Sequence, residues 1–324
     1  MSNENAKSWK DVLLKSGIPL ESSVRTILQN LGIKDPLEYN FLRKNIDNSV
    51  NNFSIDILAK KHIPFKKDSQ KDFSIEGIKT ICLEDFENYE IDYLIECKYC
   101  TPDTDWIFMP HTNSFPADNY SLCVDFFDLK REINNEYFEA LYEDIPIVGK
   151  GTSLRSKGPD ATQIKEAYNQ LSYAYIYRLF DQYKLRFNPD TYFIIPIIVT
   201  TANLWRLNDD ITIENIVESK SIEQVCTKYD VIMIQSDPDE LMKKYFFERF
   251  NSLNEDMKKI LEKSYYRKYR GNFEEELDAF ATFTPNRFFV INYSAFEHEF
   301  KNIDNSISNP AILKKCSEQN EITL

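Results

Sequence analysis

The residues best suited to chemistry lie on two predicted strands. Residues 91–98 (IDYLIECK) alternate as a strand, and the period of two places Glu96 and Lys98 on the same face. Residues 53–59 (FSIDILA) predict a second strand, in which Asp56 is flanked by apolar side chains. Two acids and an amine on neighbouring strand ends are the groups needed to hold a divalent cation and to act on a water molecule.

This combination suits hydrolysis of a phosphodiester. Mg²⁺ prefers carboxylate and water oxygens, and a bound metal can polarise a phosphate while Lys98 orients or deprotonates the attacking water. Asp92 shares the strand face with Glu96, but an extended strand separates them by about 13 Å, which is too far to share one ion. Asp56 is therefore the preferred partner of Glu96. A plain surface salt bridge between Glu96 and Lys98 is the alternative interpretation.

The same segments resemble the PD-(D/E)XK, or restriction-endonuclease-like, nuclease superfamily, and within it the Mrr-like restriction and defence proteins. The likeness is carried by GIPLESSVRTILQNLGI with Glu21, FSIDILA with Asp56, and YLIECKYC with Glu96 and Lys98. A weaker match is QIKEAYNQLSYAY with Gln170, at a position that in relatives often bears a glutamine directed at the site or the DNA. The run TYFIIPIIVTTANLW resembles the strand that closes the core in such proteins, so the likeness covers roughly the first 200 residues.

The resemblance implies a metal site and a fold. Asp56, Glu96 and the main-chain carbonyl of Cys97 would bind Mg²⁺ or Mn²⁺, and Lys98 would act on the water. Glu21 would support the water network around the metal from the first helix. The implied fold is α/β, with a restriction-endonuclease-like core whose central mixed β-sheet is flanked by helices, plus a C-terminal α/β extension.

The resemblance also implies an activity, namely Mg²⁺-dependent cleavage of DNA by an endonuclease in prokaryotic restriction or anti-phage defence. Two alternatives stay open. One is a catalytically inactive nuclease-like subunit that binds DNA or a partner protein within a defence complex, and the other is a nuclease that cuts RNA. A homodimer is a further expectation, because such enzymes often cut two strands with two copies.

The elements that must position these residues alternate between helix and strand, which predicts an α/β fold. Residues 8–31 predict two helical pieces with Pro19 near the start of the second, and residues 60–90 predict an insertion with a short strand at 78–83. The other predicted elements are a strand at 106–109, a glycine-containing loop at 149–160, a helix at 160–183, a buried strand at 191–201, a strand at 229–235, a helix at 238–270, a strand at 287–292 and a helix at 294–301. We expect a nuclease core over residues 1–205 and an extension over 206–324 packed on it, or one continuous domain.

Composition excludes several other classes of protein. Of the 324 residues 42% are hydrophobic, enough for a buried core, and the longest apolar run, at 193–199, is far shorter than the about 18–20 residues that cross a bilayer. With three histidines and no GxGxxG or GxxxxGK[ST] motif, the chain gives no support to a His-rich metal site or a nucleotide-binding loop. No secretion signal is recognisable, so we expect a cytoplasmic protein with reduced cysteines. Cys97 and Cys100 form a CxxC, but without a second pair we expect no zinc site.

The net charge of −13 is the strongest argument against a nucleic-acid enzyme, because phosphate binding relies on Lys and Arg. Local basic segments occur at 60–67, 149–158 and 263–270. The second of them leads into the helix beside the proposed site, so its cations are the best candidates for DNA contacts: Lys150, Arg155 and Lys157. Ordinary solvated surface is the alternative interpretation of each segment.

Overall fold

The structure is a computed structural model that describes residues 9–44, 50–66, 86–111, 145–155, 158–185, 192–235, 239–268, 271–285 and 287–308. Its helices are α1 (Trp9–Lys15), α2 (Ile18–Asn30), α3 (Thr162–Leu185), α4 (Ile213–Glu218), α5 (Glu240–Asn251), α6 (Glu255–Lys268), α7 (Phe273–Phe283) and α8 (Phe296–Ile307). Its strands are β1 (Lys34–Lys44), β2 (Val50–Lys66), β3 (Phe86–Lys98), β4 (Asp105–Pro110), β5 (Ile147–Arg155), β6 (Gly158–Asp160), β7 (Tyr192–Thr200), β8 (Asn203–Leu207), β9 (Cys226–Tyr229), β10 (Val231–Gln235) and β11 (Arg287–Asn292). None of these helices is long and apolar enough to span a membrane.

The strands of the described residues form one large sheet. Its order is β1-β2-β3-β7-β11-β10-β5-β4-β8-β9, and β6 pairs with β5. β7 is parallel to both β3 and β11, whereas β2 pairs antiparallel with β1 and β3. The predicted α/β fold with a mixed sheet is therefore confirmed. β10 and β11 lie between β7 and β5, so both predicted regions, 1–205 and 206–324, build the same sheet.

Helices cover both faces of this sheet, as an α/β architecture requires. One face carries the α3-side cluster, in which side chains of α3, α5 and α7 pack around Trp106 and Phe246. The other carries the α2-side cluster, in which α2 and α8 pack around Val24 and Phe300. β7 is buried over residues 193–200 and contributes to both clusters, which explains its nearly continuous apolar sequence.

The single helix predicted at 238–270 is wrong, because the chain turns between α5 and α6. α5 ends at Asn251 with Ser252 as its C-cap, and the Asn254 side chain then accepts a 2.8 Å hydrogen bond from the Met257 N–H at the start of α6. Asn272 caps α7 in the same way. Asn side chains bond to nearby backbone groups and so favour helix caps over helix interiors, which the apolar periodicity alone does not show.

The insertion predicted at 60–90 is shorter than expected. β2 continues to Lys66 and β3 begins at Phe86, and the two strands pair over this whole length. The short strand predicted at 78–83 lies outside the described residues. β1 is a strand that the sequence pattern does not predict, because it contains Asp and Pro, which are poor strand residues, and pairs with β2 across shifts of register.

The glycine-containing loop predicted at 149–160 is instead a β-hairpin of β5 and β6. Gly151 lies opposite Phe108 of β4, and a Cβ atom on Gly151 would come within 2.4 Å of the Phe108 ring. Glycine is required here by the close approach of two strands rather than by a loop.

Candidate active site

The candidate site lies where β2 and β3 separate. Their antiparallel pairing ends at Ile57 opposite Ile95. On its other side β2 contains one extra residue relative to β1, between Ile55 and Leu58. This is a β-bulge, a feature that redirects side chains and ends pairing. Asp56 lies within it.

The bulge changes which side chains share a face of the sheet. In a regular strand Phe53, Ile55 and Ile57 would lie on one side, but here Ile55 belongs to the α3-side cluster and Ile57 to the α2-side cluster. The Asp56 carboxylate meets the backbone of β3, where its Oδ2 accepts a 2.7 Å hydrogen bond from the Cys97 N–H. The side chain of Asp56 thus satisfies a strand donor at the point where the pairing of β2 with β3 has ended.

Arg25 of α2 holds the backbone of the bulge. Its Nη2 donates a 2.6 Å hydrogen bond to the main-chain carbonyl of Asp56, and its Nη1 reaches the carbonyl of Pro36 at 3.4 Å. Arg25 is not among the site residues predicted from the sequence. The available signal is its spacing of four residues from Glu21, which puts both side chains on one face of α2.

Lys98 is fixed between two acceptors from different elements. Its Nζ donates hydrogen bonds to Glu96 Oε1 at 2.7 Å and to Gln170 Oε1, on α3, at 3.0 Å. An ammonium group has three N–H donors, so two are used by these contacts among the described residues and the third could meet a water or a phosphate oxygen. The structure thus brings Gln170 to the end of β3.

Glu96 is a buried carboxylate with one unsatisfied oxygen. The residue is 2% exposed, and within the described part of the chain its Oε2 has no hydrogen-bond partner. Burial and the nearby charge of Asp56 raise the pKa of Glu96 to about 7, although Lys98 opposes the shift. An anionic oxygen without a donor is costly to bury, and a cation at Oε2 would remove that cost.

Asp56 and Glu21 belong to the same electrostatic environment. Burial raises the pKa of Asp56, against the hydrogen bond from Cys97 and the charges of Lys98 and Arg25. Burial also raises the pKa of Glu21, and the charge of Asp56 adds to this effect. Glu21 therefore lies close enough to Asp56 to experience its charge, and perturbed acids of this kind concentrate at functional sites.

These residues fit a divalent cation, although they do not form a preformed cage. Among the described residues, no group of three or more His, Cys, Asp or Glu side chains is arranged to hold a metal ion. Mg²⁺ keeps several waters and needs only one or two protein carboxylates, so Asp56 and Glu96 with a main-chain carbonyl are a sufficient donor set. The unpartnered Oε2 of Glu96 is the observation that favours a cation here.

Asp92, the alternative to Asp56, has a structural partner. Its Oδ2 accepts a hydrogen bond from Nε of Arg178 on α3, and both side chains are buried. Arg178 also lies 3.7 Å from the buried Glu90. These ion pairs join β3 to α3 through the α3 side of the sheet. The choice of Asp56 over Asp92 as the partner of Glu96 stays a prediction.

The two cysteines of the CxxC motif lie in different parts of the core. Cys97 packs in the α2-side cluster, and Cys100 packs in the α3-side cluster. Burial raises the pKa of the Cys97 thiol well above its ordinary value. Cys97 therefore acts as a small buried hydrophobic group, whereas the Cys100 thiol donates a 3.4 Å hydrogen bond to Gln163 Oε1.

Of the three basic residues predicted to contact DNA, Lys150 is the one whose side chain the structure describes. Lys150 is exposed on β5, and among the described residues it makes no hydrogen bond or ion pair with Glu96, Lys98 or Gln170. The side chain of Arg155 and the whole of Lys157 lie outside the described residues.

Comparisons of the chain with protein-family models, with curated proteins and with solved structures find no match. The resemblance to nucleases therefore rests on the segments quoted above.

Proposed function

We propose that this protein is a metal-dependent nuclease that hydrolyses phosphodiester bonds, with DNA as the substrate. The observation that carries the proposal is the buried, unpartnered Oε2 of Glu96, on a carboxylate flanked by Asp56 and by the Lys98 ammonium. A buried acid that shares its surroundings with another acid and with one lysine is suited to bind a hard cation.

Asp56, Glu96 and the main-chain carbonyl of Cys97 would hold Mg²⁺ or Mn²⁺, with Glu21 beside them. When bound, the ion would supply Lewis acidity at the phosphate and lower the pKa of water. The hydrogen bond from Cys97 N–H to Asp56 Oδ2 fixes that carboxylate before any ion arrives, so its other oxygen is already oriented.

Lys98 would act on the water or on the phosphate through its third N–H. Because Glu96 and Gln170 already fix its Nζ, the ammonium needs little rearrangement as negative charge develops on the phosphate. Gln170 acts through Lys98 and is a positioning residue. A fixed cation of this kind stabilises a transition state more than a mobile one does.

The proposal is tested by incubating the purified protein with linear, circular and single-stranded DNA and with RNA, in Mg²⁺, in Mn²⁺ and in EDTA. At least one substrate should be cut, and only with metal. Asp56→Asn should abolish cutting while the protein stays folded, because an amide oxygen can still accept from Cys97 N–H. Asp209→Asn is the matched control, since Asp209 is an exposed carboxylate that pairs with Arg206.

Cutting that persists in EDTA, or in Asp56→Asn, would contradict the proposal. Binding of DNA without cutting under any of these conditions would instead favour the inactive, nuclease-like subunit. The restriction or anti-phage setting implied by the resemblance is tested separately, by comparing phage plating on cells that produce the wild type or Asp56→Asn.

Arg25→Gln is expected to raise the Mg²⁺ concentration needed for half-maximal cutting by about 10–100-fold, because the bulge that carries Asp56 loses its hydrogen bond from Arg25. The measurement is the Mg²⁺ concentration at half-maximal cutting. The cutting rate at saturating Mg²⁺ should change much less. Arg206→Gln, which removes an arginine paired with Asp209, should leave the Mg²⁺ dependence unchanged. An equal change in this Mg²⁺ concentration in both variants would contradict the role of Arg25 in positioning Asp56.

A further inference from the structure

A cavity of about 340 Å³ lies beside the candidate site. Its walls combine aromatic rings, amides and cations, namely Phe53, Tyr173, Asn169, Gln170, Arg43 and Lys98. Lys98 and Gln170 belong to both places, since they line the cavity and are joined by the 3.0 Å hydrogen bond described above. A ligand in the cavity would therefore lie next to the ammonium that also contacts Glu96.

Arg43 gives the cavity its chemical character. Its guanidinium carbon lies 3.7 Å from the centre of the Tyr173 ring and 5.7 Å from the centre of the Phe53 ring. Among the described residues, no carboxylate forms an ion pair with Arg43. A guanidinium that is stacked on a ring and lacks a counterion keeps its donors for an anionic ligand, and phosphate is the group that Arg suits best.

The other walls suit a nucleobase. Aromatic rings and guanidinium planes are the surfaces on which unpaired bases stack. The amides of Asn169 and Gln170 offer both donors and acceptors, which base edges require. The cavity thus joins a phosphate-binding group to base-binding groups within one small space.

We propose that this cavity binds one unpaired nucleotide of the nucleic acid strand that the enzyme cuts. Its phosphate would contact Arg43 and Lys98, and its base would lie among the aromatic rings and amides. The inference rests on the proposed nuclease function and adds the class of substrate, which is a single strand or a nucleotide extruded from a duplex.

The size of the cavity supports an unpaired nucleotide. Its volume is near the lower end of the about 300–1,000 Å³ range of small-molecule pockets, which is room for a single nucleotide but not for a base pair with two backbones. Enzymes that place a base in a pocket must take it out of the stack, or act on a strand that is already single.

The test is a binding measurement in EDTA, so that cutting does not interfere. Fluorescently labelled single-stranded DNA, single-stranded RNA and duplex DNA, each about 12 nucleotides long, are titrated with the protein and followed by anisotropy. A single strand should bind more tightly than the duplex, and the DNA and RNA arms show which sugar is preferred. Arg43→Gln should weaken single-strand binding about tenfold and reduce its salt dependence. Phe53→Leu, which keeps an apolar side chain but removes the ring, should weaken it as well.

Two further variants complete the test: one controls for effects on the fold, and the other removes a negative charge from the cavity wall. Arg249→Gln is matched to Arg43→Gln, because Arg249 also stacks on a tyrosine of α3, with its guanidinium carbon 4.0 Å from the centre of the Tyr177 ring, but does not line the cavity. Its single-strand binding should equal that of the wild type. Glu166 is an exposed acid at the cavity wall, so Glu166→Gln should strengthen binding by about two- to threefold.

The outcomes separate this inference from the proposed function. Binding that depends on Arg43, without any metal-dependent cutting, would support the nucleotide cavity and overturn the nuclease. Metal-dependent cutting together with unchanged single-strand binding in Arg43→Gln and Phe53→Leu would overturn the cavity and keep the nuclease. Tighter binding of the duplex, or an equal loss in Arg249→Gln, would also overturn the cavity.

Discussion

Replacing Lys98 with methionine is expected to lower the rate of phosphodiester cleavage by about 10²–10⁴-fold, the usual contribution of a positioned acid–base group. The ammonium is the cation that contacts Glu96, and methionine keeps much of the side-chain volume while removing all three donors. The rate is measured at saturating Mg²⁺ on the best substrate of the DNA and RNA panel.

The fold should survive this substitution. Lys98 opposes the rise in the pKa of Glu96, so its removal favours the neutral, protonated form of Glu96, and this lowers the cost of burying that side chain without its partner. Lys60→Met is the matched control, because Lys60 also lies near a buried strand acid, with its Nζ 3.9 Å from Glu90 Oε1, but outside the site. Cleavage by Lys98→Met at the wild-type rate would rule out the assigned role.

Glu96→Gln is expected to have opposite effects on activity and on stability. Cleavage should be lost, because the amide cannot replace a charged metal ligand. The metal-free protein should nevertheless become more stable at pH 8 by about 1–3 kcal/mol, since the substitution removes a buried charge with an unpartnered oxygen. The free energy of unfolding is measured with urea in EDTA.

The pH dependence of this stabilisation follows from the direction of the pKa shift. The pKa of Glu96 rises from 4.5 to about 7 in the folded protein, so the folded state binds the proton more tightly than the unfolded chain does. The contribution of Glu96 to the free energy of unfolding is largest below the pKa of this group in the unfolded chain, and it is lost as the pH rises through about 7. The advantage of Glu96→Gln should therefore shrink as the pH is lowered from about 8 to about 5.5.

Two controls define this result. Glu262→Gln, at an exposed position on α6, should leave the stability unchanged at both pH values. Mg²⁺ at pH 8 should stabilise the wild type but not Glu96→Gln, because a ligand that binds only the folded state raises the free energy of unfolding. A stability difference that is the same at every pH would show that the charge of Glu96 is not its cause.

The sequence predicts the elements whose pattern is set by burial within a single segment. β3 and β7 follow from their apolar runs, and α2 and α3 follow from helical spacing and their start signals. The alternation of side chains along a strand predicts that Glu96 and Lys98 share one face of β3. In the structure Lys98 contacts both Glu96 and Gln170. These features depend on the local chain and on one sheet surface, which periodicity can describe.

Features that depend on distant pairing could not be predicted in this way. The bulge at Asp56 arises from the register of β2 with β1, and β1 itself has a sequence that disfavours a strand. Arg25 and Arg43 owe their places to contacts with residues far along the chain, and no spacing rule marks such contacts. The glycines at 149–151 predict a loop from the sequence. The reason for Gly151, its close contact with the ring of Phe108, depends on a neighbouring strand that the local sequence does not show.

The position of β11 in the sheet has a consequence for biosynthesis. β7, the parallel neighbour of β3, is bordered on its other edge by β11, which comes from residues 287–292. A ribosome would release β7 long before β11 is made, leaving one edge of an apolar strand without a neighbour for that time. The nascent chain would thus need shielding from aggregation until residues 287–292 are made, and the sheet around the strand that carries Glu96 would gain this outer neighbour of β7 only then.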